Sequence, residues 1–327
     1  SLNGVLKPNE AFSAHPKMDL NSNYSSEMMV TFGVQTGPKS TIRLMEFSNS
    51  AKDNGTLIFD RKDTFNGFAF LHDFAITTNW AIFLQNAIEF NPLPFVMGQK
   101  SAAQCLKSNP QKTAKFFLIP RDSGLYKGQP PKVIDAPQGF VFHHVNAYEE
   151  NSEIILDSIF YDDFPSIGPD ENFKDIDFAQ YPEGKYKRTR INLDTGKTNI
   201  QTVSQQCCEF ATVNPKFIGL NASFSWMAST LQNEGNAPLQ SIKKINLRNN
   251  EELFWSAGKR GFVSEPIMVP SKNRSAEDEG YILVVVWNGA RRGSDLVILD
   301  AVSLKELTVY ELPLTIPHGL HGSWVCS

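Results

Sequence analysis

The sequence is poor in cysteine and in long apolar runs. It has four cysteines, of which Cys207 and Cys208 are adjacent, and no C-x-x-C pair. This argues against a disulfide scaffold and against zinc bound by thiolates, and it favours a reducing compartment. The longest uninterrupted apolar run, from Tyr281 to Trp287, is far shorter than the roughly 20 residues that a membrane-spanning helix needs.

Positive charge is not in excess either. The 31 lysines and arginines are outnumbered by 35 aspartates and glutamates, so the formal net charge is -4. Because nucleic-acid binding requires a basic face, we expect no nucleic-acid partner. The 327 residues, 41% of them hydrophobic, have the composition of an ordinary globular protein.

Helical periodicity is also missing. No segment of about 12 residues keeps apolar residues at helical spacing, whereas short β-rich runs bounded by turn residues recur along the whole chain. Residues 28–60 and 281–312 each predict a meander of three antiparallel strands, and another strand is predicted at Phe70–Phe74. Units of about 40–50 residues are typical of propeller blades, and a two-sheet sandwich is the alternative. The sequence therefore predicts an all-β fold.

One apolar segment, Phe90–Met97, contains two prolines and cannot be a central strand. It is either a buried loop or an exposed apolar patch that contacts a membrane or opens a lipid tunnel. The residues alone leave both interpretations open.

Four of the six histidines lie at or near the ends of predicted strands, and no H-E-x-x-H helix joins any two of them. They are His15, His72, His143 and His321. Wide separation is expected if each comes from a different blade, because the innermost strands of all blades meet at one channel. Four neutral imidazoles without a thiolate suit iron, copper or zinc. The alternative for any one of them is a hydrogen-bonded structural histidine.

The neighbours of these histidines limit which side chains can join such a site. Successive residues of a strand point to opposite faces, so only one of His143 and His144 can face the axis. Asp73 is expected to point away from the preceding histidine for the same reason. Ligating imidazoles usually donate their other ring N–H to a carboxylate. Glu209 and Glu265, which lie among apolar or small neighbours, are candidates for that role.

Six short motifs resemble those of the carotenoid cleavage oxygenases and occur in the order found in that family. The family includes carotenoid and apocarotenoid dioxygenases, stilbene-cleaving enzymes and the retinoid isomerohydrolase of the visual cycle. The motifs are residues 14–19 (AHPKMD), 72–77 (HDFAIT), 142–150 (FHHVNAYEE), 208–210 (CEF), 261–266 (GFVSEP) and 316–322 (IPHGLHG).

The resemblance implies a seven-bladed β-propeller with a non-haem Fe(II) ion on its axis. The implied metal ligands are His15, His72, His143 and His321. Glu209 and Glu265 match glutamates that orient ligand imidazoles, those of His143 and His321 respectively. No metal role falls to His144 or to His318. Alanine follows Glu209-Phe210 where the family has proline, which we expect to loosen a local turn and not the metal site.

The activity implied by the resemblance is oxidative cleavage of a conjugated C=C bond in a carotenoid or apocarotenoid, which gives two carbonyl products. Dioxygen and a hydrophobic isoprenoid are then the partners. The location is the cytoplasm or a plastid, with peripheral membrane contact through Phe90–Met97. A stilbene-cleaving dioxygenase and a non-catalytic propeller that binds an isoprenoid are the alternatives. The four histidine motifs argue against a pure binder, which has no need of them.

The first candidate ligand, His15, lies almost at the start of the sequence. Members of the family place a substantial segment before this histidine, and that segment includes a third glutamate, which supports the imidazole matched by His72. We therefore expect residues 1–327 to form a single propeller domain that lacks the N-terminal blades of the family.

Overall fold

The computed structural model describes residues 4–22, 27–50, 55–165, 177–272, 275–317 and 319–325. Within these ranges the backbone forms 23 strands, one helix and three 3₁₀ turns. The all-β prediction is confirmed. Among the helices of these ranges, none is both long and apolar enough to cross a bilayer.

The strands are short and follow one another closely. In chain order they are β1 (Lys17–Asp19), β2 (Met28–Gln35), β3 (Lys39–Ser48), β4 (Leu57–Asn66), β5 (Ala75–Ile76), β6 (Trp80–Gln85), β7 (Ile88–Phe90), β8 (Leu106–Ser108), β9 (Lys115–Pro120), β10 (Lys132–Asp135), β11 (Phe140–Glu150), β12 (Glu153–Tyr161), β13 (Lys185–Asn192), β14 (Thr198–Ser204), β15 (Cys208–Thr212), β16 (Phe224–Ser229), β17 (Ser241–Asn246), β18 (Glu252–Ser256), β19 (Gly261–Val263), β20 (Ile267–Pro270), β21 (Gly280–Asn288), β22 (Gly293–Asp300) and β23 (Glu306–Glu311). The helix is α1 (Pro92–Val96), and the 3₁₀ turns are Ala103–Cys105, Phe178–Gln180 and Pro215–Phe217.

Five sheets succeed one another along the chain, each an antiparallel meander. Their strand orders are β1-β2-β3-β4, β5-β6-β9-β10, β11-β12-β13-β14, β15-β16-β17-β18 and β19-β21-β22-β23. The hairpin β7–β8 lies between β6 and β9 in the chain and forms a separate two-stranded sheet. In the fifth sheet, β20 also pairs with β21. Five small sheets in succession fit the radial repetition of a propeller, whereas a sandwich would have two large sheets.

Both predicted meanders are confirmed. Strands β2, β3 and β4 pair in sequence, and so do β21, β22 and β23. The predicted strand at Phe70–Phe74 is wrong, because regular pairing begins only at Ala75. The backbone just before this segment is hydrogen-bonded by side chains and not by a neighbouring strand. Oγ of Ser40 accepts from the N–H of residue 69, and the side-chain amide of Gln85 donates to the carbonyl of residue 68. The segment is apolar like a strand but follows an irregular path.

The core consists of four apolar clusters, one between each pair of successive sheets. Phe32 and Phe83 belong to the cluster between the first two sheets, and Trp80 and Leu156 belong to the next. The third and fourth sheets share a cluster of their own, and so do the fourth and fifth. Each sheet therefore packs face to face against the next one in the chain.

The apolar segment Phe90–Met97 is not a buried loop. Residues 92–96 form α1, whose N-cap Asn91 accepts a hydrogen bond from the N–H of Leu93, and none of its residues is buried. Leu93, Phe95, Val96 and Met97 are exposed large hydrophobic residues. The prediction of an exposed apolar patch is therefore confirmed, although as a short helix.

The first strands of the sheets position the candidate site. Strand β11 contacts both β5 and β15, the first strands of the two neighbouring sheets. His72 lies shortly before β5, and His143 and Glu209 lie on β11 and β15, so the contacts among these strands bring the three residues close together.

Candidate metal centre

The structure brings the four candidate histidines together. One ring nitrogen from each of His15, His72, His143 and His321 lies within 4.8 Å of the others. Nε2 of His15 is 3.1 Å from Nε2 of His72, and the ring centroids of His15 and His321 are 4.4 Å apart. Four segments that are distant in the sequence thus present imidazoles to one point.

Local backbone features aim two of these rings. The N–H of His15 donates to Oγ of Ser13 over 3.0 Å, and the N–H of Ser13 donates to the carbonyl of Phe32 on β2 over 2.8 Å. His143 lies where the pairing of β11 with β12 shifts register between Val141 and His144. Because such an irregularity redirects a strand side chain, it allows His143 to face the cluster.

The electrostatics of the cluster favour metal binding. Burial lowers the pKa of His15 to about 3 and also lowers the pKa of His72. A histidine binds a metal through the lone pair of its neutral form, so both rings are in that form at neutral pH. Nε2 of His143 is buried and has no hydrogen-bond partner among the described residues. A metal ion would satisfy this otherwise costly buried nitrogen, so the cluster fits a metal.

Glu209 orients the ring of His143. Nδ1 of His143 lies 2.6 Å from Oε2 of Glu209, and since a carboxylate can only accept, the ring N–H donates. Burial opposes a positive charge on His143, but the negative charge and hydrogen bond of Glu209 outweigh it and raise the pKa of His143. With Nδ1 engaged in this way, the lone pair of the neutral ring is on Nε2, which faces the cluster.

Two further residues hold Glu209 in place. The hydroxyl of Tyr161 donates to Oε1 over 2.9 Å, and the backbone N–H of Phe210 donates to Oε2 over 2.6 Å. Burial, and then the charge of Glu209, raise the pKa of Tyr161 well above its usual value, so the hydroxyl keeps its proton. Phe210 has a φ of 56°, which is unusual for a bulky residue, and its ring centroid is 5.4 Å from that of His143.

Glu265 stands in the same relation to His321, with weaker geometry. Nδ1 of His321 lies 3.3 Å from Oε1 of Glu265, and the N–H of Gly322 donates to Oε2 over 2.9 Å. His321 is exposed and lies in a segment without regular structure. Sequence reasoning therefore paired both glutamates with the imidazoles that they contact.

Neither His144 nor Asp73 joins the cluster. The ring of His144 contacts Oγ of Ser158 through Nδ1 over 2.7 Å and is buried. Asp73 pairs with Lys17 instead of pointing at the imidazoles. Among the described residues no carboxylate is hydrogen-bonded to the ring of His72, and His318 lies outside them.

An apolar wall adjoins the cluster. The ring of Phe142 is 5.6 Å from that of His72 and 4.5 Å from that of Phe140. The same apolar cluster continues to Phe90, whose ring is 6.3 Å from that of Phe95 on α1. Aromatic and aliphatic side chains thus extend from the histidines to the exposed apolar helix.

Sequence reasoning missed Tyr161 and Phe210. Tyr161 is separated from Glu209 by 48 positions, and it ends strand β12 without any motif of its own. Phe210 lies inside the C-E-F motif, which was the one available signal, but the motif does not reveal a positive φ. The register of β15 against β16 shifts between Glu209 and Thr212, so the departure from the E-F-P pattern coincides with an irregular strand.

Comparison with known proteins agrees with this geometry. The family model described as "Retinal pigment epithelial membrane protein" matches residues 1–326. The chain belongs to this family, that of the carotenoid cleavage oxygenases. The resemblance inferred from the six motifs is confirmed.

Two relatives illustrate the family membership. The apocarotenoid-15,15'-oxygenase of Synechocystis sp. is 38% identical over 327 residues, which cover 99% of this chain and 65% of the relative. The carotenoid 9,10(9',10')-cleavage dioxygenase of Crocus sativus is 26% identical over 334 residues, which cover 96% of this chain and 57% of the relative. The chain thus spans less than two-thirds of the length of either oxygenase.

A solved structure shares the fold. The crystal structure of cobalt-substituted Synechocystis apocarotenoid oxygenase aligns with a TM-score of 0.95 at 38% identity and covers 100% of this chain and 67% of that one. The all-β architecture is therefore that of an oxygenase in this family.

Proposed function

We propose that the protein is an Fe(II)-dependent dioxygenase that cleaves a conjugated C=C bond of a carotenoid or apocarotenoid to two carbonyl products. The observation that carries the proposal is the meeting of four imidazole nitrogens within 4.8 Å of one another. The names of the Synechocystis and Crocus relatives, an apocarotenoid oxygenase and a carotenoid-cleavage dioxygenase, support the same class of reaction.

The ligand set supports iron. The residues that would hold the ion are His15, His72, His143 and His321, four neutral donors without a thiolate or carboxylate among them, a set that suits Fe(II). Bound iron supplies the activation of dioxygen. Glu209 and Glu265 fix the rings of His143 and His321 through their Nδ1 atoms, as carboxylates behind ligating imidazoles do.

The apolar wall supports a hydrophobic isoprenoid substrate. Phe142 and Phe210 flank the imidazoles, so they can pack against a conjugated chain and keep water away from its reacting carbons. In the overall reaction the C=C bond breaks and each carbon receives one oxygen atom of dioxygen. Atoms and electrons therefore balance without a separate reductant.

The proposal includes peripheral membrane contact through Phe90–Met97. A lipophilic substrate resides in bilayers, and the exposed apolar residues of α1 adjoin the apolar cluster that leads to the histidines. We propose a cytoplasmic or plastid location. In support, Cys105, Cys207 and Cys208 are free thiols, as expected in a reducing compartment.

For the fold, we propose that each of the five sheets forms one blade of a single seven-bladed propeller domain. The regular succession of antiparallel meanders supports this arrangement, and so does the cluster that each sheet shares with the next.

The test is incubation of the iron-loaded full-length protein with a carotenoid, an apocarotenal and a stilbene, followed by mass spectrometry. We expect paired carbonyl fragments from the carotenoid or the apocarotenal. Cleavage of the stilbene alone would establish the stilbene-cleaving alternative. Binding without any product would establish the non-catalytic alternative.

A ligand variant with a matched control makes this test specific. His321→Ala removes a partly exposed imidazole, so we expect it to fold and to form no product. Asp278→Asn breaks the ion pair with Lys244, which joins β17 to the segment before β21 over 2.7 Å. We expect Asp278→Asn to retain activity, and equal product formation by both variants would contradict the proposed site.

A further inference from the structure

The residues that follow three of the ligand histidines meet at one buried carboxylate. Lys17 lies two positions after His15, Asp73 directly follows His72, and His144 directly follows His143. Only 1% of the Asp73 side chain is exposed. This carboxylate contacts both of the other segments.

The first contact is with the segment of His15. Nζ of Lys17, on β1, lies 2.9 Å from Oδ1 of Asp73 and forms an ion pair with it. Loss of hydration makes a carboxylate this deeply buried costly unless an opposite charge offsets it, and the Lys17 ammonium supplies that charge. The ion pair therefore ties the segment of His72 to β1.

The second contact is with the segment of His143. The backbone N–H of His144 donates to Oδ2 of Asp73 over 2.8 Å. Register shifts interrupt the pairing of β11 with β12 on both sides of His144, so Asp73 binds the backbone at the irregularity that aims His143. The ring of His144 is held on Oγ of Ser158, which ties the same residue to β12.

We propose that Asp73 is a positioning residue for the metal centre, in which one carboxylate sets the spacing of the segments that carry His15, His72 and His143. The proposal rests on the proposed metal site. It assigns to Asp73 a role that differs from metal ligation, since its two oxygens are directed to Lys17 and to the N–H of His144.

The experiment measures Co²⁺ affinity and the visible absorption of bound Co²⁺ in the full-length protein, with thermal unfolding of the metal-free form. Asp73→Asn keeps an oxygen for the His144 N–H but directs an NH₂ group at the Lys17 ammonium. We expect Co²⁺ affinity to fall by about 10- to 100-fold, with a changed absorption spectrum. An affinity within about twofold of the wild type and an unchanged spectrum would overturn the proposal.

Asp278→Asn is the matched control, because it also removes the carboxylate of a largely buried Lys–Asp ion pair. We expect it to lower the unfolding temperature and to leave Co²⁺ affinity and absorption unchanged. If it weakened Co²⁺ binding as much as Asp73→Asn does, general destabilisation would explain both results and the proposal would fail.

Lys17→Arg keeps the test decisive if Asp73→Asn does not fold. It preserves the charge of the ion pair and changes only its geometry, so we expect a folded protein with an altered Co²⁺ spectrum, and an unaltered spectrum would contradict the proposal. The wild type distinguishes failure of the proposed metal centre from failure of the positioning role of Asp73. If it failed to bind Co²⁺, the metal centre itself would be wrong, whereas wild-type binding that Asp73→Asn leaves intact would overturn only the positioning role.

Discussion

The two carboxylate–imidazole pairs of the site, His143 with Glu209 and His321 with Glu265, have the same chemistry in different surroundings. The side chains of the first pair are 13% and 12% exposed and lie 2.6 Å apart at their closest atoms. Those of the second pair are 25% and 23% exposed and lie 3.3 Å apart. The first pair is on strands β11 and β15, and the second is on segments without regular structure.

This difference shows that secondary structure determines how precisely a metal-ligating imidazole is positioned. Glu209 accepts three hydrogen bonds, including those of Tyr161 and the Phe210 N–H, so its carboxylate has little freedom to move. Glu265 accepts from His321 and from the N–H of Gly322, where water can reach both. We infer that the His143 side of the site is rigid and that the His321 side adapts to the metal.

The largest effect is expected for Glu209→Gln. The amide has one acceptor oxygen for three donors, so a buried donor loses its partner, which costs about 1–3 kcal/mol of stability. We expect metal affinity to fall by about 10- to 100-fold as the ring of His143 loses its orientation. Equilibrium Co²⁺ titration and thermal unfolding measure the two effects.

Glu149→Gln is the matched control for Glu209→Gln. Glu149, at the other end of β11, also accepts three hydrogen bonds, from the Thr77 hydroxyl and from the backbone and side chain of Asn79. We expect it to lower stability without changing metal affinity. If both substitutions weakened metal binding equally, the specific role of Glu209 would be refuted.

A smaller effect is expected for Glu265→Gln. Because this pair is partly exposed, water can replace a lost acceptor, and we expect at most about a tenfold loss of metal affinity. Stability should change by no more than about 0.5 kcal/mol. A loss larger than that of Glu209→Gln, in the same titration, would reverse the comparison between the two sides.

The smallest effect on metal affinity is expected for Tyr161→Phe, which acts on His143 only through Glu209. Removing the hydroxyl deletes one hydrogen bond to a buried carboxylate, so we expect a loss of about 1–2 kcal/mol in chemical denaturation. Metal affinity should fall by less than about tenfold. If metal affinity did not change at all, the other two donors would suffice to hold Glu209.

Much of the fold could be predicted from local patterns. The meanders β2–β4 and β21–β23 have strands long enough for alternation and turns to show in the sequence. Three-residue strands such as β7 and β19 carry no such period, which is why they were missed. Phe70–Phe74 has the composition of a strand, but the backbone that leads into it is held by side-chain hydrogen bonds instead of by pairing with a neighbouring strand.

For the site, the sequence predicts the candidate ligands and the two glutamates but not the residues that support them. The histidines and the two glutamates lie in motifs, so residue type and neighbours identify them. Tyr161 and Lys17 were not predictable as supporting residues, because their contacts with Glu209 and Asp73 depend on how separate strands pack. The positive φ of Phe210 has no counterpart in composition or in hydrophobic pattern.

The central claim is that four histidines bind one iron ion, and metal analysis with X-ray absorption spectroscopy tests it most directly. After anaerobic loading of the full-length protein with Fe(II), we predict about one equivalent of iron and scattering from imidazole ligands alone among the protein donors. Less than about half an equivalent, or a spectrum with sulfur or carboxylate ligands from the protein, would contradict the account.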